Sequence, residues 1–125
     1  MSHVADSWAF REGLRHDLRV ALKSRQADTI SALRTMIAAI DNAEALPPDA
    51  EPPRTADSVV ALSSPGVGST EAPRRDLAMT DIHVIIRELV SEYETQGEHY
   101  RSIHQHEASD ELRRKATIAR AYLGA

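Results

Sequence analysis

Residues 10–23 read FREGLRHDLRVALK, and this stretch decides the fold. Phe10, Leu14, Leu18 and Leu22 recur every fourth residue, the spacing at which side chains stack along one side of an α-helix. A face of this kind must be buried, so the stretch predicts an amphipathic helix over about 7–25, with Ser7 as its N-cap. One position later, Arg11, Arg15, Arg19 and Lys23 form a second stripe beside the first. Like charges at this spacing repel by a few tenths of a kcal/mol per pair, relieved in part by Glu12 and Asp17.

Downstream, Asp28 is placed to cap a second helix over about 28–45, which carries Ile30, Leu33, Met36, Ile37 and Ile40 on one side and stops before Pro47. The two-residue connection makes the first two helices an antiparallel hairpin. All six prolines then fall between Pro47 and Pro73. Proline fixes φ and turns its predecessor away from helix, so residues 47–78 read as a long strap, with partial docking expected at Val59-Val60-Ala61-Leu62. Gly66-Val67-Gly68 is not a dinucleotide loop: the third glycine position holds Glu71, no strand precedes it, and Pro73 stands where the helix should open.

Past the strap, Thr80 or Asp81 caps a third helix over about 81–107, with Ile82, Ile85, Ile86, Leu89, Val90 and Tyr93 at helical spacing. Gly97 interrupts it, but the apolar phase continues to Tyr100 and Ile103, which predicts one helix on the order of 40 Å long. Ser109 or Asp110 caps a fourth over about 109–123, with Leu112, Ala116, Ala119 and Leu123 inward. No period-two alternation lasts beyond a few residues. The expectation is a single all-α domain, four helices in two antiparallel hairpins joined by the Pro-rich strap.

Composition narrows the chemistry. The 125 residues hold 15 basic and 19 acidic side chains, a net charge of −4, which argues against wholesale coating of nucleic acid but leaves room for a local basic patch. The absence of cysteine excludes disulfides, a thiol nucleophile and Cys-based metal centres. The longest apolar run, Met36 to Ile40, is five residues, too short for a membrane span. Ser2, His3, Asp6 and Ser7 do not make a signal peptide, so the cytoplasm is the expected compartment.

No metal or cofactor site is expected. His99, His104 and His106 are close in sequence, but on a helix 104 and 106 diverge by roughly 200°, and nothing suitable lies between 99 and 106. Glu88, Glu92 and Glu98 are read as a solvated face balanced by Arg87, Arg101, Arg113 and Arg114 rather than an acid–base pair. With no nucleophile motif either, the chain does not read as an enzyme.

Two binding surfaces are legible. Arg11, Arg15, Arg19 and Lys23, joined toward one end of the hairpin by Arg25 and Arg34, either cover the core edge with their methylenes or face phosphates. No aromatic side chain interleaves with these cations as a base-stacking platform would. Tyr93, Tyr100 and Ile103 exceed what a small core buries, which suggests a protein-interaction or scaffold surface, with homo-oligomerisation as one form.

Leu14, Leu18, Ala21-Leu22-Lys23, Arg25, Asp28, Ala32-Leu33-Arg34, Ala38-Ala39-Ile40 and Asn42-Ala43-Glu44 together resemble the opening helices of the GatB/YqeY-like family. The stretch from Leu77 through Thr80-Asp81, then Tyr100, Leu112 and Tyr122-Leu123, is similar to its second half. The resemblance covers most of the chain outside the strap. It implies an accessory binding module related to the helical tail that helps hold tRNA in glutamine-dependent tRNA amidotransferases, with no catalytic residue carried over. Arg34, Asn42 and Glu44 are the polar positions it marks, and the residues themselves suggest that Asn42 and Glu44 fasten the strap by hydrogen bonds. Two departures stand out. Family members usually continue past Tyr-Leu into another small helical unit associated with tRNA, whereas this sequence ends at Ala125, and the strap is longer than the family's usual link.

Overall fold

A computed structural model describes residues 3–45 and 76–124. They form α1 (His3–Ser24), α2 (Ala27–Ala45), α3 (Met79–Ser102) and α4 (His106–Arg120), followed by a 3-10 turn, Ala121–Leu123. No strand occurs among the described residues. Most of the strap, including Val59–Leu62 and Gly66–Gly68, lies outside them. Its last part is described: Leu77 is buried, and Ala78 is the residue from which α3 starts.

The predicted caps are displaced. Ser7 lies inside α1, buried, rather than at its start. Asp28 and Asp81 fall in the first turns of their helices. Asp81 Oδ2 accepts the Ala78 N–H at 3.0 Å, satisfying an otherwise orphaned donor from the third helical position. Ser109 is buried in α4 and donates its Oγ–H to the Gly97 carbonyl at 2.8 Å.

The two short connections are built alike. In the first, Arg25 adopts φ 57°, its N–H reaches the Leu22 carbonyl, and the Gln26 N–H reaches the Ala21 carbonyl at 3.1 Å. In the second, His104 adopts φ 64°, its N–H reaches the Arg101 carbonyl, and the Gln105 N–H reaches the Tyr100 carbonyl at 2.8 Å. Each is a helix end closed by a left-handed residue and a pair of returning bonds, with a glutamine opening the next helix. Neither left-handed position is a glycine, so no glycine signal marked these turns.

The core comprises Leu14 and Ala21 of α1, Ala32, Leu33, Met36 and Ile40 of α2, Leu77, Ile82, Ile86, Val90 and Tyr93 on the α3 side, and Ala116 and Ala119 of α4. On α1 the buried line is Ser7, Leu14 and Ala21, seven residues apart, not the four-residue stripe that includes Leu22. Four residues turn a helix by roughly 400°, so a four-residue stripe precesses by roughly 40° per step, while seven residues return within roughly 20°. From Phe10 to Leu22 the drift is roughly 120°, which leaves Leu22 43% exposed. α3 is continuous through Gly97, whose surface is covered by α4.

Candidate nucleic-acid interface

The same precession divides the basic stripe. Arg11 lies against α2, its side chain only 17% exposed, and its guanidinium grips Glu44 with both terminal nitrogens, at 2.6 and 3.0 Å, while also reaching Asp41 at 3.2 Å. Glu44 sits in the last turn of α2, where a negative charge opposes the helix dipole, and Arg11 offsets it. Glu44 therefore binds α1. Asn42 is exposed, and the strap residues those two positions were expected to fasten lie outside the described residues. Arg15 is intermediate, paired with Glu12 at 2.8 Å and with Asp41 at 3.8 Å.

Arg19 and Lys23 have turned into solvent. Arg25, in the connection, is exposed, as is Arg34 on α2. Arg34 precedes Asp41 by seven residues, while Arg19 follows Arg11 by eight. Because Arg11 meets Asp41, those two steps bring both residues toward the same end of the helix pair, Arg34 within roughly 20° of Asp41's line on α2 and Arg19 turned roughly 80° from Arg11's on α1. Among the described residues, none of these four cations has an acidic partner. Of the acids nearby, Asp28 binds Arg114 Nε at 2.7 Å, and Asp17, which lies roughly 200° from Arg19 around α1, accepts the Tyr122 hydroxyl at 2.6 Å. Of the five residues proposed from sequence, Arg11 and Arg15 serve internal ion pairs, and Arg19, Lys23 and Arg34 are free to meet an external anion.

A cleft of about 740 Å³ opens beside the connection, between Gln26–Thr29 of the first helix pair and Asp110, Arg113, Arg114, Thr117 and Ile118 of α4. The Arg114–Asp28 bond crosses it and raises the pKa of the guanidinium. The sequence reading assigned Arg113 and Arg114 to the glutamates of α3. Instead they bring positive charge to the same end of the molecule as Arg25, a placement set by how α4 docks on α2.

Trp8 corrects the expectation that no aromatic accompanies the cations. It is 62% exposed and shares a side of α1 with Arg15 and Arg19, seven and eleven residues on. That spacing was available in the sequence, but a search confined to four-residue steps passes over it.

The expected protein-facing surface is also rearranged. Tyr93 is core, its hydroxyl buried without a hydrogen-bond partner among the described residues, while Tyr100 and Ile103 remain exposed. A separate groove of about 500 Å³ runs between α2 and α3, floored by Ala39, Ala43, Ile85 and Leu89. Glu88 and Glu92 edge it and, contrary to the balanced face expected, have no cationic partner among the described residues. Glu98 does pair with Arg101, at 3.8 Å, and Glu94 with Arg120. His99, His104 and His106 are exposed, and no group of three metal-ligating side chains converges among the described residues. Nor is any of the described helices long and apolar enough to cross a membrane.

Comparison of the chain with protein-family models, with curated proteins and with solved structures finds no match in any of the three.

Proposed function

We propose that the protein is an accessory RNA-binding module without catalytic activity of its own, of the GatB/YqeY-like kind that its sequence resembles, acting in the cytoplasm. The observation that carries this reading is the group Arg19, Lys23, Arg25 and Arg34, four cations at one end of the α1–α2 pair with no acidic partner among the described residues. Cations left without an acidic partner favour a polyanion over a neutral ligand. No cofactor is needed for such a role.

The test is binding of unfractionated tRNA in increasing salt. Four neutralised phosphates give a slope of log affinity against log salt near −3, taking about −0.7 per contact. Replacing Arg19, Lys23 and Arg34 together by Glu is expected to abolish the shift; a flat salt response in the native protein removes the proposal.

A second reading is supported by the α2–α3 groove. Its apolar floor and Glu88 and Glu92, which have no cationic partner among the described residues, together with exposed Tyr100 and Ile103 at the far end of α3, suit a protein partner or a second copy of this chain. Sedimentation that gives a monomer at all accessible concentrations argues against the self-associating form.

A further inference from the structure

Trp8 is the chain's only tryptophan, and among the exposed large apolar side chains of the described residues it is the one most open to solvent. Arg15 and Arg19 lie about 20° to either side of its line along α1, at rises of about 10 and 16 Å. Among the described side chains, its neighbours toward the C-terminal end of the helix include Ala9 and Glu12, which do not extend the indole into an apolar patch. An exposed indole on the same side of α1 as Arg19, the first cation of the row without an acidic partner among the described residues, matches a ligand that presents flat π-faces on a chain of negative charge.

We infer that Trp8 is a stacking platform for an unpaired base, and that the ligand is single-stranded RNA whose backbone runs past Arg15 toward Arg19 and Lys23. The inference rests on the RNA-binding reading above and narrows it from polyanions in general to strands with accessible bases. The glutamate beside the platform, Glu12, is neutralised by Arg15 at 2.8 Å and does not repel an approaching phosphate as a free carboxylate would. Stacking is tolerant of base identity, so little sequence preference is expected.

Because Trp8 is the sole tryptophan, its fluorescence reports on the site directly. The full chain is titrated with an oligouridine about twelve nucleotides long, with an RNA duplex and with heparin, binding being followed in parallel by anisotropy of labelled ligand. Saturable quenching by oligouridine, with heparin and duplex bound but not quenching, supports stacking. Trp8→Ala should then weaken oligouridine binding about tenfold, leave heparin binding unchanged and leave the helical circular dichroism intact, while Trp8→Phe keeps most of the affinity. If oligouridine binds without quenching, if heparin quenches equally, or if Trp8→Ala binds oligouridine like the native protein, the stacking role is overturned while the RNA-binding reading stands. If none of the three polyanions binds, both fall.

Discussion

The Tyr122 hydroxyl donates to Asp17 Oδ2 at 2.6 Å, joining residues 105 positions apart. The Tyr122 ring also meets Phe10 edge-on, with centroids 6.2 Å apart. The 3-10 turn after α4 is thereby held against the middle of α1, on the side of that helix away from Arg19. Tyr122→Phe keeps the ring contact and removes the bond to a charged acceptor. It is expected to cost about 1–2 kcal/mol, a fall in Tm of about 5–10 °C in thermal unfolding.

The same pair predicts a response to alkali. Burial first, and then the bond to Asp17, push the ionisation of Tyr122 upward from its ordinary value of 10.0. Below that value both folded and unfolded chains keep the proton, and the full contribution is present. Above it the unfolded chain ionises while the folded one does not, so stability falls as pH rises past about 10. Denaturant unfolding between about pH 9 and pH 11.5 should lose stability more steeply in the native protein than in Tyr122→Phe; equal slopes remove the assignment.

Arg11 and Arg19 belong to one sequence stripe but should behave oppositely. Arg11→Ala strips Glu44 of its two-pronged partner in a site where both side chains are mostly covered, and should cost about 2–3 kcal/mol in denaturant unfolding. Arg19→Ala touches no described partner and should change stability by less than about 0.5 kcal/mol, while lowering RNA affinity and reducing the salt slope by about 0.7.

Gly97 was legible as an unbroken helical position, and the structure supplies its tolerance. A methyl group built there would lie 3.6 Å from Arg113 Cγ and the Ser109 carbonyl oxygen and 3.7 Å from Leu112 Cβ, ordinary contact distances. Gly97→Ala should therefore stabilise the protein by about 0.5–1 kcal/mol, by reducing unfolded-chain freedom and improving helix propensity. A loss of stability would mean that α3 and α4 lie closer than these distances.

The four helices were readable because apolar period alone fixes them: Ile82, Ile86 and Val90, or Leu33, Met36 and Ile40, are buried as their spacing demands. The start of α2 was readable to within one residue, but those of α1 and α4 were not, since Ser7 and Ser109 have capping side chains that are buried inside their helices instead. Local preference yields there to tertiary packing. The basic stripe was visible as a pattern, yet its division depends on a rotation of roughly 40° per step accumulating until Arg11 faces α2 and Lys23 faces water. Arg113 and Arg114 reach the same end only through the docking of α4, which no local spacing encodes.

The two connections give a final contrast. Arg25 and His104 hold the same left-handed conformation in the same bond pattern, at φ 57° and 64°. A side chain there costs about 1–2 kcal/mol that glycine does not pay, against about 0.4–1 kcal/mol of extra unfolded-chain freedom. Arg25→Gly and His104→Gly should each stabilise the protein by up to about 1 kcal/mol in denaturant unfolding. Their effects on RNA should differ, because only Arg25 stands among the unpartnered cations. Arg25→Gly should weaken binding and make the salt dependence shallower by about 0.7, whereas His104→Gly should leave both unchanged. If the two variants bind RNA alike while both gain stability, Arg25 serves the turn alone and the anion-facing set shrinks to Arg19, Lys23 and Arg34.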